Sequence, residues 1–179
     1  ALFDYSKAYD RTWQERLLLK LCNLGVPLQM VRWIRAFLTT RIAQVRINGV
    51  RSMRVRMKQG LPQGSVLSPL LFLLFINDLV SKLPEGVECS LFADDAAIYV
   101  SHESLDEASK VLQQAVTVVE EWSIDNKLDL NQSKSCTFFF TTDTHEVNWR
   151  PEIQLLGKPM KFGDGPTEKN PKFLGVTLD

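Results

Sequence analysis

Three acids stand where the chain otherwise reads as apolar strand. Asp94 and Asp95 lie between Glu88-Cys89-Ser90-Leu91-Phe92-Ala93 and Ala96-Ala97-Ile98-Tyr99-Val100, and Asp4 follows Ala1-Leu2-Phe3. A carboxylate among apolar neighbours is costly to bury unless something neutralises it. A paired acid at a tight bend between strands therefore suggests a divalent cation with oxygen ligands, to which a third acid could contribute. Asp-Asp is also an ordinary turn dipeptide, so the pair alone leaves a simple turn open.

Between these acids runs Gln59-Gly60-Leu61-Pro62-Gln63-Gly64-Ser65-Val66-Leu67-Ser68-Pro69, turn-rich and uncharged, and then the apolar run Leu70 to Ile76. Its glycines allow close backbone approach to a ligand, and Pro62 fixes the chain direction before Gln63. Ser65 or Ser68 could cap the helix that follows, with Pro69 in its first turn. A loop feeding a core helix explains the apolar run but not the Gly-Leu-Pro-Gln-Gly order.

With Asp4-Tyr5-Ser6-Lys7-Ala8-Tyr9-Asp10 ahead of it and Phe92-Ala93-Asp94-Asp95 behind it, the segment Gly60 to Pro69 resembles, in order and spacing, the palm motifs of reverse transcriptases. Asn126 to Lys134 is similar to the fourth palm motif, and Phe173-Leu174-Gly175-Val176 to the primer-grip motif. The Leu-Ser-Pro-Leu-Leu-Phe continuation and Phe-Ala-Asp-Asp look more like a non-LTR (LINE-type) retrotransposon than a retrovirus. The resemblance covers nearly the whole chain; one such motif would be weak, whereas five in order are specific.

The resemblance implies an RNA-directed DNA polymerase, with an RNA template, a DNA primer and deoxynucleoside triphosphates as partners and no membrane. Such synthesis uses two divalent ions about 4 Å apart, which activate the primer 3′-hydroxyl and stabilise the leaving pyrophosphate. Mg²⁺ would fill the role, with Mn²⁺ as a possible substitute. Asp4 and Asp94 would bridge the ions and Asp95 would assist; without metal, the three carboxylates would raise one another's pKa. Tyr9 falls where the family has its aromatic steric gate against a ribose 2′-hydroxyl. Gln63 and Gly64 would lie against the incoming nucleotide and template base, and the backbone of Ser6 to Tyr9 could donate to the triphosphate. Lys134, with Lys127 as competitor, would act on the leaving pyrophosphate. Phe173, Leu174 and Gly175 would position the primer end. Asp10 reads as a local cap or turn residue.

The resemblance also implies a palm over 1–25 and 60–179 with partial fingers over 26–59, cut from a longer polyprotein that carries the remaining fingers, the thumb and an endonuclease. Without them the isolated segment is expected to be inactive. The expected setting is intracellular, in a cytoplasmic ribonucleoprotein and the nucleus. Two rivals stay open. A catalytically silent nucleic-acid-binding fragment needs only the basic residues. A two-metal nuclease explains the carboxylates but neither Tyr9 nor Leu61-Pro62-Gln63-Gly64.

The chain has 179 residues, 45% of them hydrophobic, which allows about one domain with its own core. Its longest apolar run is far short of the ~20 residues that span a bilayer. Cys22, Cys89 and Cys136 are odd in number and far apart, which excludes a disulfide framework or a zinc pattern and fits a reducing compartment. His102 and His145 read as surface residues without a partner at metal-ligand spacing. Net charge is zero, yet Arg16 to Asn77 holds ten basic residues and no acid, and from Asp78 onward acids outnumber bases 18 to 9. Such asymmetry points to a polyanion-facing region.

The elements that must position these residues follow from periodicity. Thr12 and Glu15 form a capping-box pattern for a helix from about Trp13 to Leu24, stopped by Gly25 and followed by Pro27. A second helix spans about Leu28 to Leu38, with Val31, Ile34 and Leu38 on one face. Alternation over Ala43 to Lys58, with Asn48-Gly49 at the turn, predicts a hairpin with an apolar face and a face of Arg46, Arg54, Arg56 and Lys58 for phosphate. Ser104 and Glu107 suggest another capping box, opening a helix whose stripe is Leu105, Ala108, Val111, Leu112, Ala115, Val118, Val119 and Trp122. Cys136 to Thr141 reads as a strand, and Gly157-Lys158-Pro159 as the turn of a late hairpin. The class is α+β, with a split β-α-β ferredoxin-like palm core in which the first strand neighbours the acidic hairpin.

Overall fold

A computed structural model describes residues 1–143, 145 and 148–163, and the backbone of 172–173 and 176–177. In chain order the elements are β1 (Leu2–Phe3), α1 (Ala8–Arg11), α2 (Gln14–Asn23) and α3 (Leu28–Thr39). There follow β2 (Ile42–Ala43), β3 (Arg46–Ile47), β4 (Val50–Arg51), β5 (Val55–Arg56) and α4 (Leu67–Ile76), then a 3-10 helix, Asn77–Lys82. The rest comprises β6 (Val87–Phe92), β7 (Asp95–Val100), α5 (Leu105–Asp125), β8 (Cys136–Thr137), β9 (Gln154–Leu155), β10 (Lys158–Pro159), β11 (Lys161–Phe162), β12 (Lys172–Phe173) and β13 (Val176–Thr177). This is mixed α and β structure around a central sheet. Among the described residues no helix is long and apolar enough to cross a membrane.

The chain forms two compact units. The first contains residues 1–6, 79–125 and those described from 129 onward. Its five-stranded sheet runs β11-β8-β1-β7-β6. β1 pairs antiparallel with both β7 and β8, β7 pairs antiparallel with β6, and β11 joins β8 in parallel. The first strand thus neighbours the acidic hairpin, as expected from sequence. α5 packs on β6, β7 and β9. Leu112, Ala115, Val119 and Trp122 of the expected stripe are buried, joined by Val116. Their spacing of three and four residues gives one broad apolar face. Glu107 pairs with Lys110, and the Ser104 amide donates to His102 Nδ1, so the capping box expected there is replaced by these contacts.

Two strand expectations need correction. The strand expected over Cys136 to Thr141 ends at Thr137, because Phe138, Phe139 and Phe140 leave the ladder to line an apolar cleft with Ile98, Leu105 and Trp149. The late hairpin turns at Leu156-Gly157, not over Gly157 to Pro159, since Lys158 and Pro159 already pair with Leu155 and Gln154.

The second unit comprises residues 7–78 and 126–128. α2 packs against α3 and α4. Leu17 and Leu21 on α2, Val31, Ile34 and Leu38 on α3, and Leu71, Phe72, Phe75 and Ile76 on α4 are buried. Truncating a leucine as enclosed as Leu17 to alanine costs about 2–5 kcal/mol. Lys20 is buried beside them; its ammonium donates to the Phe75 carbonyl and to Asp78 Oδ1, both at 2.7 Å. Gly25 takes a left-handed φ of 76° and ends α2, as the sequence suggested. The capping box at Thr12 and Glu15 is absent: Trp13 is the N-cap residue, and the buried Thr12 hydroxyl donates back to the Ala8 carbonyl to close α1.

Candidate active site

The first unit carries the three acids. β6 and β7 pair in register from Val87↔Val100 to Phe92↔Asp95, so the connection is only Ala93-Asp94. Ala93 holds φ 53°, a left-handed conformation that costs a residue with a Cβ and that recurs where a site must be aimed. β1 meets β7 at Leu2↔Ala97 and Phe3↔Ala96. Continued one step, that register sets Asp4 opposite Asp95, while Asp94 occupies the hairpin tip. Burial first, then the charges of Asp94 and Asp4, hold the Asp95 carboxyl above the usual carboxylate range.

A turn from Asn131 to Ser135 straps Asp4 from the other side. The Asp4 amide donates to Ser135 Oγ at 3.2 Å, and the Asn131 amide donates to the Asp4 carbonyl at 2.7 Å. Ser135 Oγ in turn donates to the Asn131 carbonyl at 2.9 Å. The same turn places Lys134 Nζ 3.9 Å from Asp4 Oδ1, with its side chain 67% exposed. The competing Lys127 belongs to the second unit, where its ammonium lies 3.9 Å from the Trp13 ring centroid. The Ser6 amide already donates to the Asp129 carbonyl at 2.8 Å, which removes it from the backbone donors expected for a triphosphate.

Among the described residues no three His, Cys, Asp or Glu side chains form a ready cage for a metal ion. The donors present still fit a hard, oxygen-seeking cation. Such an ion commonly takes one or two carboxylates and completes its shell with water and substrate phosphates. Asp94 and Asp95, with Asp4 near enough to act on Asp95, offer that donor set with Lys134 as neighbouring positive charge.

The second unit carries the Gly60–Gly64 loop, docked on α1 and its flank. The Gly60 amide donates to the Thr12 carbonyl at 2.9 Å, and the Leu61 amide to the Tyr9 carbonyl at 2.7 Å. Gln14 Nε2 and Arg41 Nη2 both donate to the Gly60 carbonyl, and Arg41 also reaches the carbonyls of Gln59 and Leu38. At Gly60 a Cβ would come within 2.5 Å of the Asp10 carbonyl oxygen, so no side chain fits. Gly64 has open space and needs glycine only for its φ of 84°. Gln63 is exposed, and its Nε2 donates to Asp10 Oδ1 at 2.8 Å. Tyr9, half-buried, stacks on Phe72 with centroids 5.0 Å apart and planes at 23°. Ser65 Oγ accepts from the Leu67 amide at the start of α4, and Ser68 Oγ donates to the Pro62 carbonyl.

Residues 42–56 form the expected hairpin as two nested ladders, β2 with β5 and β3 with β4, and Asn48 and Gly49 both take positive φ in the turn. Its apolar residues are uncovered: Ile42, Val45, Ile47, Val50, Met53 and Val55 are all exposed, so alternation marks an apolar face here but not a buried one. Arg46 faces Arg51 across the ladder. Arg46, Arg54, Arg56 and Lys58 are all exposed, and Arg56 Nε donates to the Thr39 carbonyl. Of the residues expected to position a primer end, the Phe173 backbone lies in β12, paired with β13, and Leu174 and Gly175 lie outside the described residues.

Sequence reasoning missed Ser135 and Asn131, which secure Asp4, and Arg41, which secures the Gly60 loop. A small polar residue beside a motif and one arginine in a basic run gave no separate signal. The Asp10–Gln63 bond was equally hidden, because it joins positions 53 residues apart.

A profile of the family described as reverse transcriptase (RNA-dependent DNA polymerase) matches residues 1–178. The RNA-directed DNA polymerase from mobile element jockey of Drosophila melanogaster is 29% identical over all of this chain and 19% of its own length. The probable RNA-directed DNA polymerase from transposon BS, also of Drosophila melanogaster, is 32% identical over 98% of this chain and 19% of its own length. The Pol polyprotein from the type-1 retrotransposable element R2 of Nasonia vitripennis is 26% identical over 92% of this chain. The chain thus spans about a fifth of the length of the first of these relatives. On the profile match and these relatives together, the chain belongs to the reverse transcriptase (RNA-dependent DNA polymerase) family, on its non-LTR retrotransposon branch.

Proposed function

We propose that this segment is the palm, with part of the fingers, of an RNA-directed DNA polymerase that adds deoxynucleotides to a primer 3′-hydroxyl on an RNA template. The sheet order β8-β1-β7-β6, with α5 packed on it, supports reading the core as a split β-α-β, ferredoxin-like arrangement. The observation that carries the proposal is the placement of Asp4 within electrostatic reach of Asp95, beside Asp94, although 90 residues separate them. A structural turn would have no reason to gather like charges.

In this reading Asp4, Asp94 and Asp95 hold Mg²⁺, and Mn²⁺ could substitute. Bound divalent cations would supply charge that acidifies the primer hydroxyl and stabilises the pyrophosphate leaving group. Lys134, anchored by the turn at Ser135, would steady that leaving group. Tyr9, braced by Phe72, would exclude a 2′-hydroxyl, and Gln63 and Gly64 would face the nucleotide. Arg46, Arg54, Arg56 and Lys58 would contact phosphates, and residues 173–175 the primer end. Fingers, thumb and endonuclease would come from the rest of the polyprotein, and the setting would be a cytoplasmic ribonucleoprotein and the nucleus.

Primer extension on an RNA template tests this, using the chain in its full polypeptide context with Mg²⁺ and all four deoxynucleotides. Wild type should extend and Asp94→Asn should not. A folded wild type that binds nucleic acid without extending would support a catalytically silent binding module instead.

A further inference from the structure

We infer that Asp10 is a positioning residue for nucleotide binding: it fixes which end of the Gln63 amide faces the ligand. A carboxylate can only accept hydrogen bonds. Asp10 Oδ1, 2.8 Å from Gln63 Nε2, therefore dictates that the amide turns its NH₂ toward Asp10. The Gln63 carbonyl oxygen is left as the outward group, without a protein partner among the described residues. Gln63 then presents an acceptor, suited to a ligand hydroxyl or N–H that donates.

The two backbones that carry this pair are locked independently of it. Gly60 sits so close to Asp10 that a Cβ would come 2.5 Å from its carbonyl oxygen. The Leu61 amide holds the Tyr9 carbonyl, one residue before Asp10. Arg41 binds the Gln59 and Gly60 carbonyls and feels the Asp10 charge. A side-chain bond between fixed supports is preorganised, so it orients Gln63 before a ligand arrives. An unheld, exposed glutamine would sample both amide orientations and lose rotamer freedom on binding.

The inference rests on the proposed contact between Gln63 and the nucleotide. Its test is steady-state primer extension by the full polypeptide, reading KM for the deoxynucleotide separately from kcat, with thermal melts confirming each variant's fold. Asp10→Ala should raise KM about tenfold, the scale of one hydrogen bond to a charged group, with a smaller change in kcat. Asp10→Asn, whose Oδ1 still accepts, should recover most of that loss. Gln63→Glu sets two carboxylates face to face and should raise KM. Adding Asp10→Asn to it should restore binding, because the new amide at position 10 then donates to the new carboxylate at position 63, whose second oxygen faces outward. If Gln63→Ala raises KM while Asp10→Ala does not, the positioning role is overturned and the nucleotide contact stands. If Gln63→Ala leaves KM unchanged, the contact itself falls and the inference with it.

Discussion

At Asp95, burial and two neighbouring carboxylates act in the same direction, holding its proton more tightly in the folded chain than in the unfolded one. A carboxyl raised on folding lowers stability as pH climbs above its ordinary value, and the loss vanishes in acid, where both states are protonated. Metal-free protein carrying Asp95→Asn should therefore melt above wild type near pH ~7, with the gap closing as pH falls toward ~4. Identical melts at neutral pH in chelator would remove the repulsion from this account. Tyr5 offers a second residue-scale test. Its ring meets Trp122 edge-on, and its buried hydroxyl has no partner in hydrogen-bonding geometry among the described residues. Ser123, which acts on the phenol, gives its own hydrogen to the Val119 carbonyl. Because an unsatisfied buried hydroxyl is a liability, Tyr5→Phe should be neutral or stabilising by up to about 1 kcal/mol in urea denaturation. A clear loss would mean that Tyr5 does bond Ser123.

Elements were legible where glycine, proline and turn chemistry punctuate them. Gly25 and Pro27 bound α2 and α3, and Asn48-Gly49 sets the basic hairpin, because positive φ and a missing amide are properties of single residues. Partner choice was not legible. Thr12 could cap α2 or close α1, and only the fold decides that it bonds Ala8. Alternation over residues 42–57 reports a strand's two sides but not whether either is covered, and here neither is. The same distinction governs the two loop glycines. Gly64 is required by conformation alone, whereas Gly60 combines φ 78° with backbone contact to Asp10. Gly60→Ala should therefore cost more than Gly64→Ala: about 1–3 kcal/mol for the conformation in each, and a further loss at Gly60 because the loop must lift off Asp10. Equal shifts of the urea midpoint would show that the loop relaxes without leaving α1.

Across the molecule, the expected acids with Lys134 and the expected phosphate contacts fall in different compact units: Asp4, Asp94, Asp95 and Lys134 in one, Arg46, Arg54, Arg56 and Lys58 in the other. The neighbour relation of β1 and the acidic hairpin was readable, since the order of strands and helices leaves few unknotted topologies. The straps at Ser135 and Arg41 were not, because each is a side-chain-to-backbone bond made only once the chain is folded. This division makes turnover and binding separable. Loss of each phosphate contact lowers the slope of log affinity against log salt by about 0.9 for duplex DNA and about 0.7 for a single strand. Replacing Arg46, Arg54 and Lys58 together by Gln should flatten that slope by about 2–3 while leaving the melting temperature near wild type, since all three are exposed. Arg41→Gln should do the reverse, lowering stability through the carbonyls of Leu38, Gln59 and Gly60 with little change in slope. Asp94→Asn should abolish extension and leave the slope intact. A hairpin variant that keeps the full slope would place the phosphate contacts elsewhere among the ten bases between Arg16 and Asn77.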